Sequence, residues 1–381
     1  MSRRVAFYSH PLGSDELRSL ERTLGDVFIS AGPRAAEFEE AFAHHVGAAH
    51  AVGVSSCSMG LVLALRALGV GPGDEVVTTP LSFLSTGNAA LHAGARVVFA
   101  DIDPRTGLID ADAVEAAITS RTRAIVVVHL YGQLADLSRF RRIADRHGIA
   151  LVEDAAPAIE ASRDGVRAGS AGDLAVFSFN ALKEMTSGEG GAIVTNDAGL
   201  ARRVRDLAFH GIDTQAVGDP GGGYRHYEML QLGFKASLTD IQAALLLPQL
   251  GKLAARRASR EGVAARYDRL LAEVPQLELT QRIGTSSHST FAVRVPFGRR
   301  DSVLTEMERR GIGCKVHYRA THIHPYYRDV LGFRREQAPR AADFGDRVLS
   351  LPLWPGLPPR DVDHVAETLA AVLAEPGGAT K

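Results

Sequence analysis

The stretch LAVFSFNALKEMTSGEGGAIVTND, residues 174–197, places a lysine between an apolar run and a cluster of glycines. The runs LAVFS and AIVT within it have the pattern of buried strands. Lys183 follows the first run and is one of only five lysines in the chain. A lysine beside an apolar wall can have the pKa of its ammonium group lowered, which frees the amine to condense with an aldehyde. The stretch therefore predicts Schiff-base chemistry at Lys183, against the alternative of an ordinary surface lysine.

An acidic pair ends another apolar run upstream, in GIALVEDAAPA, residues 148–158. Ligands of parallel sheets collect at the carboxyl ends of the strands, so we expect Asp154 to face a cleft. A carboxylate beside a heterocyclic nitrogen favours the protonated ring, which makes a pyridinium ring a better electron sink. Asp154 and Lys183 together are the pair that pyridoxal phosphate needs, although Asp154 alone is also compatible with a helix N-cap.

A phosphate site is predicted in AVGVSSCSMGLVLALRALGVGPGDEVV, residues 51–77, which has the pattern of a strand, a turn of small residues and a helix. Ser56, Cys57 and Ser58 stand where a helix N-terminus exposes unpaired backbone N–H groups and its positive dipole end. Anion binding there needs no basic side chain. Serine before an apolar helix is also an ordinary cap. Ser178, five residues before the lysine, adds a hydroxyl.

The order of the predicted elements indicates the fold class. Strand-like runs alternate with helical patterns up to about residue 235, at EVVTT, RVVFA, AIVVVH, ALVE, LAVFS and AIVT. This alternation predicts an α/β architecture with a mostly parallel central sheet. We expect a large domain over residues 1–250 and a smaller C-terminal α+β domain over residues 251–381, with FAVRV and CKVHY as short strands. A helical pattern over about residues 238–271 predicts one helix that bridges the two domains.

Composition limits the classes of protein that remain. The chain has 381 residues, 45% hydrophobic and 23% charged, which is enough for two well-buried cores. Its formal net charge of −1 offers no electrostatic reason to bind nucleic acid or anionic membranes. Cys57 and Cys314 do not suggest a disulfide framework. With neither a signal-peptide core nor an apolar run of about 18 residues, we expect a cytoplasmic protein.

The motifs together resemble those of the DegT/DnrJ/EryC1/StrS aminotransferases, which are pyridoxal-phosphate enzymes of fold type I that act mainly on nucleotide-linked keto sugars. The resemblance extends from GPRAAEFEEAFAHHVG, residues 32–47, to SLPLWPGL, residues 350–357. Its most specific part is the motif FSFxxxKxxTxGEGGxxxT, matched by residues 177–195. It implies a fold type I transferase that uses pyridoxal 5'-phosphate and passes through pyridoxamine 5'-phosphate.

The resemblance also implies a role for each matching residue. Lys183 would form the Schiff base with the cofactor and later move a proton, and Asp154 would pair with the pyridine nitrogen. The phosphate turn SGT of the family corresponds to Ser56, Cys57 and Ser58 here, so two of its three residues differ. The backbone donors of the turn survive these changes.

The resemblance implies roles for further positions, some of which have a second interpretation. Ser178 would be another phosphate ligand, and Phe83 in TTPLSFLST would stack on the cofactor ring, unless it is a core phenylalanine. The family motif DAAQ, DAAH or DAAE ends here in Pro157, which cannot donate a backbone hydrogen bond. Some family members are dehydratases with histidine at the lysine position, so the retained Lys183 favours transamination.

Homodimerisation follows from the same comparison. In LGFKASLTDIQAALLLPQL, residues 232–250, the family sends an asparagine to the cofactor phosphate of the neighbouring subunit. This chain has Ser237 at that position and Lys235 two residues earlier, and either could substitute as a hydroxyl donor or a point charge. We therefore expect a homodimer with shared active sites.

Two loop stretches complete the comparison with the family. VHYRATHIHPYYRD, residues 316–329, matches a region that contributes to the substrate cleft, so we predict the cleft rim at His317, Tyr318, His322 and His324. A metal site is not predicted from the spacing of these histidines. The glycine-rich stretch GDPGGGYRHYE, residues 218–228, either covers the active site or is a crossover without a role.

The resemblance implies transfer of an amino group from an amino acid, glutamate or glutamine, to a keto sugar, foremost a nucleotide-linked keto-deoxyhexose, as in amino-sugar and antibiotic biosynthesis. One alternative acceptor is a cyclitol or another non-nucleotide ketone, because Cys57 and Pro157 depart from the family pattern. A second alternative is a non-catalytic regulatory or binding protein on the same fold.

Overall fold

The computed structural model describes residues 3–213 and 226–375, so most of the predicted covering loop lies outside the described residues. In chain order, the strands are β1 (His50–Val54), β2 (Glu75–Thr78), β3 (Arg96–Phe99), β4 (Thr122–Val128), β5 (Ala150–Asp154), β6 (Ser162–Arg163), β7 (Val166–Arg167), β8 (Leu174–Ser178), β9 (Gly191–Thr195), β10 (Glu278–Leu279), β11 (Phe291–Arg294) and β12 (Val348–Leu351). The helices are α1 (Ser14–Leu24), α2 (Pro33–Val46), α3 (Cys57–Ala67), α4 (Leu84–His92), α5 (Ala111–Ala117), α6 (Leu137–His147), α7 (Ala198–Ala208), α8 (Asp240–Leu250), α9 (Leu253–Leu271), α10 (Arg300–Arg309), α11 (Pro339–Arg347) and α12 (Pro359–Ala374).

A seven-stranded sheet in the order β1-β9-β8-β5-β4-β2-β3 forms the centre of the larger part. The pairs β2–β3, β2–β4, β4–β5 and β5–β8 are parallel, whereas β9 runs antiparallel to both of its neighbours. The predicted α/β architecture with a mostly parallel sheet is confirmed. Because β5 and β8 are parallel neighbours, the residues that follow them meet at one edge of the sheet.

The central strands are apolar because other elements pack on the sheet and exclude water from it. Every residue of β2, β8 and β9 is buried. One apolar cluster joins α3 and α4 to the sheet, a second includes residues of α6 and α11, and a third includes residues of α2 and α8. This packing holds the carboxyl ends of the parallel strands in fixed positions.

The predicted bridging helix is corrected to two helices, α8 and α9, separated at Gly251 and Lys252. Pro248, inside the last turn of α8, lacks the backbone N–H of a helical hydrogen bond, and Gly251 follows the last helical residue. Helix α8 packs against α1 and α2, whereas α9 packs against α12. The domain boundary after residue 250 stays a prediction with which this packing is compatible.

The C-terminal part contains a three-stranded sheet in the order β10-β11-β12. The predicted strand FAVRV contains β11, while CKVHY forms only an isolated bridge, between Lys315 and Ser350. Val5, near the N-terminus, bridges to Ile312 and packs in the core of this part. Among the described residues, no helix combines the length and the apolar character needed to cross a bilayer.

Candidate active site

A cavity of about 500 Å³ lies at the carboxyl ends of the parallel strands. Asp154 is the last residue of β5, and Lys183 lies five residues beyond the end of β8. Most of the predicted site residues line this one cavity, namely Ser56, Cys57, Ser58, Phe83, Asp154, Ser178, Lys183, His317 and Tyr318. The adjacency of β5 and β8 therefore brings the predicted lysine and carboxylate to the same cavity.

The two residues predicted to act on a neighbouring subunit do not line the cavity of their own chain. Ser237 donates a weak hydrogen bond of 3.5 Å to the carbonyl oxygen of Ala208, and the Lys235 ammonium lies 4.5 Å from the centre of the Phe209 ring. Because both were predicted to reach the site of a second subunit, a single chain does not test them.

The prediction of His322 and His324 at the cleft rim is corrected. His322 lies within the 3-10 turn Thr321–Ile323 and His324 directly follows it, and neither histidine lines the cavity. His322 is fully buried, and its Nε2 lies 3.4 Å from the carbonyl oxygen of Arg335. The turn therefore carries the chain away from the cavity after Tyr318.

The Asp154 carboxylate is held by two donors. The Thr86 hydroxyl donates to Oδ2 at 2.8 Å, and the backbone N–H of Ala156 donates to Oδ1 at 3.2 Å. Burial raises the pKa of Asp154, while the bond from Thr86, the bond from Ala156 and the charge of Lys183 oppose that rise. A cationic partner in the cavity would favour the ionised form further.

The expected lowering of the Lys183 pKa is wrong for this structure. Burial acts to lower the pKa of Lys183, but the nearby Tyr318, Glu184, Cys57 and Asp154 raise it by more. With its pKa raised, Lys183 must lose a proton before its amine can attack an aldehyde.

A buried pair braces the strand end that carries Asp154. The His129 ring nitrogen Nε2 lies 2.9 Å from Glu153 Oε2, and both side chains are fully buried. Burial raises the pKa of Glu153, but its hydrogen bond and charge interaction with His129 and its backbone donors lower it by more. These backbone donors are the N–H groups of Gly169, Ala171 and Gly172.

The predicted phosphate turn forms the start of α3. Ser56 is the N-cap, and its side-chain oxygen accepts the backbone N–H of Met59 at 3.1 Å. Ser58 and Ser178 line the cavity as well, so hydroxyls and a helix N-terminus face the same space. The cavity thus offers the start of α3 to an anion, Lys183 to an aldehyde and Asp154 to a ring nitrogen. These residues fit pyridoxal phosphate.

Sequence reasoning missed several residues of the cavity, among them Phe7, Tyr8, Ser82 and Tyr131. Tyr8 comes from the N-terminal segment and donates a hydrogen bond to the backbone of Lys183. Tyr131 has a left-handed backbone with φ of 59°, and its hydroxyl donates a hydrogen bond to the backbone carbonyl oxygen of His317. These contacts join distant segments, so no local pattern indicates them.

By fold and site, the protein falls in the class of pyridoxal-phosphate-dependent aminotransferases. The sequence matches the DegT/DnrJ/EryC1/StrS aminotransferase family over residues 11–370. The chain belongs to this family.

Individual relatives agree with that assignment. The chain is 40% identical over 375 residues to the spore coat polysaccharide biosynthesis protein SpsC of Bacillus subtilis (strain 168), covering 96% of each protein. It is 34% identical to S. venezuelae DesV, solved in complex with a ketimine intermediate, with a TM-score of 0.86 and 95% of each chain covered. It is 28% identical to NtdA of Bacillus subtilis with bound cofactor PMP, with a TM-score of 0.85, covering 98% of this chain and 86% of that one. The protein therefore has the fold of the type I pyridoxal-phosphate enzymes. It is a pyridoxal-phosphate-dependent enzyme of a sugar aminotransferase family.

Proposed function

We propose that the protein transfers an amino group from an amino acid, glutamate or glutamine, to a nucleotide-linked keto sugar. The observation that carries the proposal is that Lys183 and Asp154 line one cavity together with the start of α3. The relative SpsC is named for polysaccharide biosynthesis, which supports a sugar as the acceptor.

Each side chain of the cavity has a part in this proposal. When bound, pyridoxal phosphate supplies an aldehyde carbon and an electron sink. Lys183 would hold that aldehyde carbon through its amine and, once released, would carry a proton at its Nζ. Asp154 would keep the ring nitrogen protonated, and Phe83 would cover the ring. The start of α3 and the Ser178 hydroxyl would hold the phosphate.

The shared active site remains part of the proposal. Lys235 and Ser237 would contact the cofactor phosphate of a second copy of the chain. Leu230 and Leu232, two large apolar side chains in the segment just before them, are exposed. Exposed apolar groups of this kind are typical of surfaces that a partner covers.

A non-nucleotide ketone, such as a cyclitol, is the second candidate acceptor. Pro157 lines the cavity, and it offers no side-chain hydrogen bond where the family has a polar residue. Cys57 lines the same cavity in place of the family glycine. A ketone whose hydroxyl groups are arranged differently from those of a nucleotide-linked sugar would suit this altered cavity lining.

The test combines a spectrum with turnover. Lys183→Ala should remove the visible absorbance of the lysine-bound cofactor and stop turnover, whereas Asp154→Asn should keep the cofactor and lose most activity. Lys252→Ala is the matched control, because Lys252 pairs with Asp15 and Glu16 and does not line the cavity. Candidate keto sugars and cyclitol ketones are supplied with glutamate or glutamine, and the amine product is detected. Full activity of Lys183→Ala would refute the assignment.

A further inference from the structure

Two hydroxyl groups form a hydrogen-bonded chain that ends on Asp154. Ser82 Oγ lies 2.9 Å from Thr86 Oγ1, and Thr86 Oγ1 lies 2.8 Å from Asp154 Oδ2. All three residues are at most 4% exposed. These three groups are therefore shielded from water. A hydrogen bond to a charged group is strong in such surroundings.

Which group donates each of these two hydrogen bonds follows from the number of protons that the groups carry. A hydroxyl has one proton, and an ionised carboxylate can only accept. Thr86 donates its proton to Asp154, so Ser82 must donate to Thr86. Each donation polarises the next hydroxyl, and both point their positive ends towards the carboxylate.

This arrangement differs from the usual behaviour of threonine in a helix. Thr86 lies in the first turn of α4, and a threonine hydroxyl in a helix often bonds a backbone carbonyl of its own segment. Here the hydroxyl bonds a carboxylate 68 residues away in sequence instead. The contact is thus specific to Asp154 and is not a by-product of helix formation.

Other groups also act on Asp154. Lys183 and His129 favour its ionised form, and the Cys57 thiol lies 4.0 Å from Oδ1, a long and weak contact. Tyr318 is a further titratable neighbour of the carboxylate. Of all these side chains, Thr86 makes the short hydrogen bond, so removing its hydroxyl has the most direct effect.

We propose that Thr86, oriented by Ser82, is a positioning residue that keeps Asp154 ionised and aimed into the cavity. The inference rests on the proposed role of Asp154 beside the cofactor ring nitrogen. Without the hydroxyl, Asp154 takes up a proton at higher pH and no longer holds a proton on the ring nitrogen.

The test uses Thr86→Val, which keeps the shape but removes the hydroxyl, and Thr86→Ser, which restores it. Thr78→Val is the matched control, because the buried Thr78 hydroxyl donates to the carbonyl oxygen of Val126 and not to the site. Two quantities are measured: the acidic limb of the pH dependence of kcat, and the pH titration of the visible absorbance of the bound cofactor. Thr86→Val should move both to higher pH by about one unit, and Thr86→Ser should move them back. Ser82→Ala should shift them in the same direction by less.

An unshifted Thr86→Val enzyme, or an equal shift in Thr78→Val, would overturn the inference. Failure of the proposed function has a different signature, since wild-type protein would then produce no amine from any ketone. The spectral titration needs no turnover, so it also reports on a Thr86→Val protein whose activity is too low to measure.

Discussion

The hydroxyl of Tyr8 donates a hydrogen bond of 2.7 Å to the backbone carbonyl oxygen of Lys183, which lies 175 residues further along the chain. Burial, with a contribution from Glu184, raises the pKa of Tyr8 to about 12, so the hydroxyl keeps its proton at neutral pH. A few residues earlier, the backbone N–H of Val5 donates to the carbonyl oxygen of Gly311. The N-terminal segment thus connects the C-terminal part of the fold to the lysine.

Tyr8→Phe should loosen the lysine loop while leaving the aromatic packing in place. We expect a loss of about 1 kcal/mol in the free energy of unfolding, as for one net hydrogen bond, and a weaker affinity for pyridoxal phosphate. Urea denaturation and cofactor titration measure the two effects. Tyr327→Phe is the control, because its hydroxyl donates to Asn88 at 2.7 Å and Tyr327 does not line the cavity. Equal cofactor affinities in the two variants would contradict the role of Tyr8.

The lysine and the carboxylate could be predicted because Asp154 ends one strand-like run and Lys183 follows another. Parallel strands end at one edge of a sheet, so two such residues meet whenever their strands are neighbours. The order of the strands, which makes β5 and β8 neighbours, comes from long-range packing. That packing also brings Tyr8 to Lys183 and Thr86 to Asp154, and no sequence pattern indicated either contact.

The pKa of Lys183 shows why neighbours in sequence are not enough. Burial acts to lower this pKa, as the apolar neighbours in sequence suggested, but the groups around the amine, namely Tyr318, Glu184, Cys57 and Asp154, together raise it by more. Only Glu184 is close to the lysine in sequence. The pKa of a buried group depends on its neighbours in space, and burial acts on it as one influence among several.

Glu160 should give the protein a pH-dependent stability. Burial raises the pKa of Glu160 from 4.5 to about 7, and the nearby Glu184 adds to this, against the ion pair with Arg260 at 2.7 Å. Between these two pKa values the folded protein binds a proton that the unfolded chain has released. Stability from this group is therefore complete below the unfolded pKa and is lost as the pH rises through the folded pKa.

Glu160→Gln removes this titration, so the variant should lose less stability than the wild type as the pH rises from 4.5 to about 7. Urea denaturation of both proteins across that window measures the difference. Glu261→Gln is a suitable control, since Glu261 is exposed on α9 and pairs with Arg257. Parallel stability curves for wild type and Glu160→Gln would show that Glu160 titrates normally in the folded state.

Gly191 permits the close approach of β9 to the start of α3. A Cβ atom at this position would lie 2.8 Å from the backbone nitrogen of Cys57 and 2.8 Å from the carbonyl oxygen of Phe177. Both are backbone atoms, so neither can move aside without displacing its strand or helix. Gly191→Ala should therefore push the start of α3 away and weaken the binding of the cofactor phosphate.

Titration of the apo-protein with pyridoxal phosphate and with pyridoxal separates the phosphate contribution from that of the lysine. Gly191→Ala should lower the affinity for pyridoxal phosphate by about tenfold or more, and that for pyridoxal by much less, because one lost charge-assisted hydrogen bond has that magnitude. Gly251→Ala is the control, because its φ of −68° suits alanine and nothing lies within 4 Å of the added Cβ. If Gly191→Ala weakened both ligands equally, the glycine would support the whole cavity, and its proximity to Cys57 would have no special link to the phosphate.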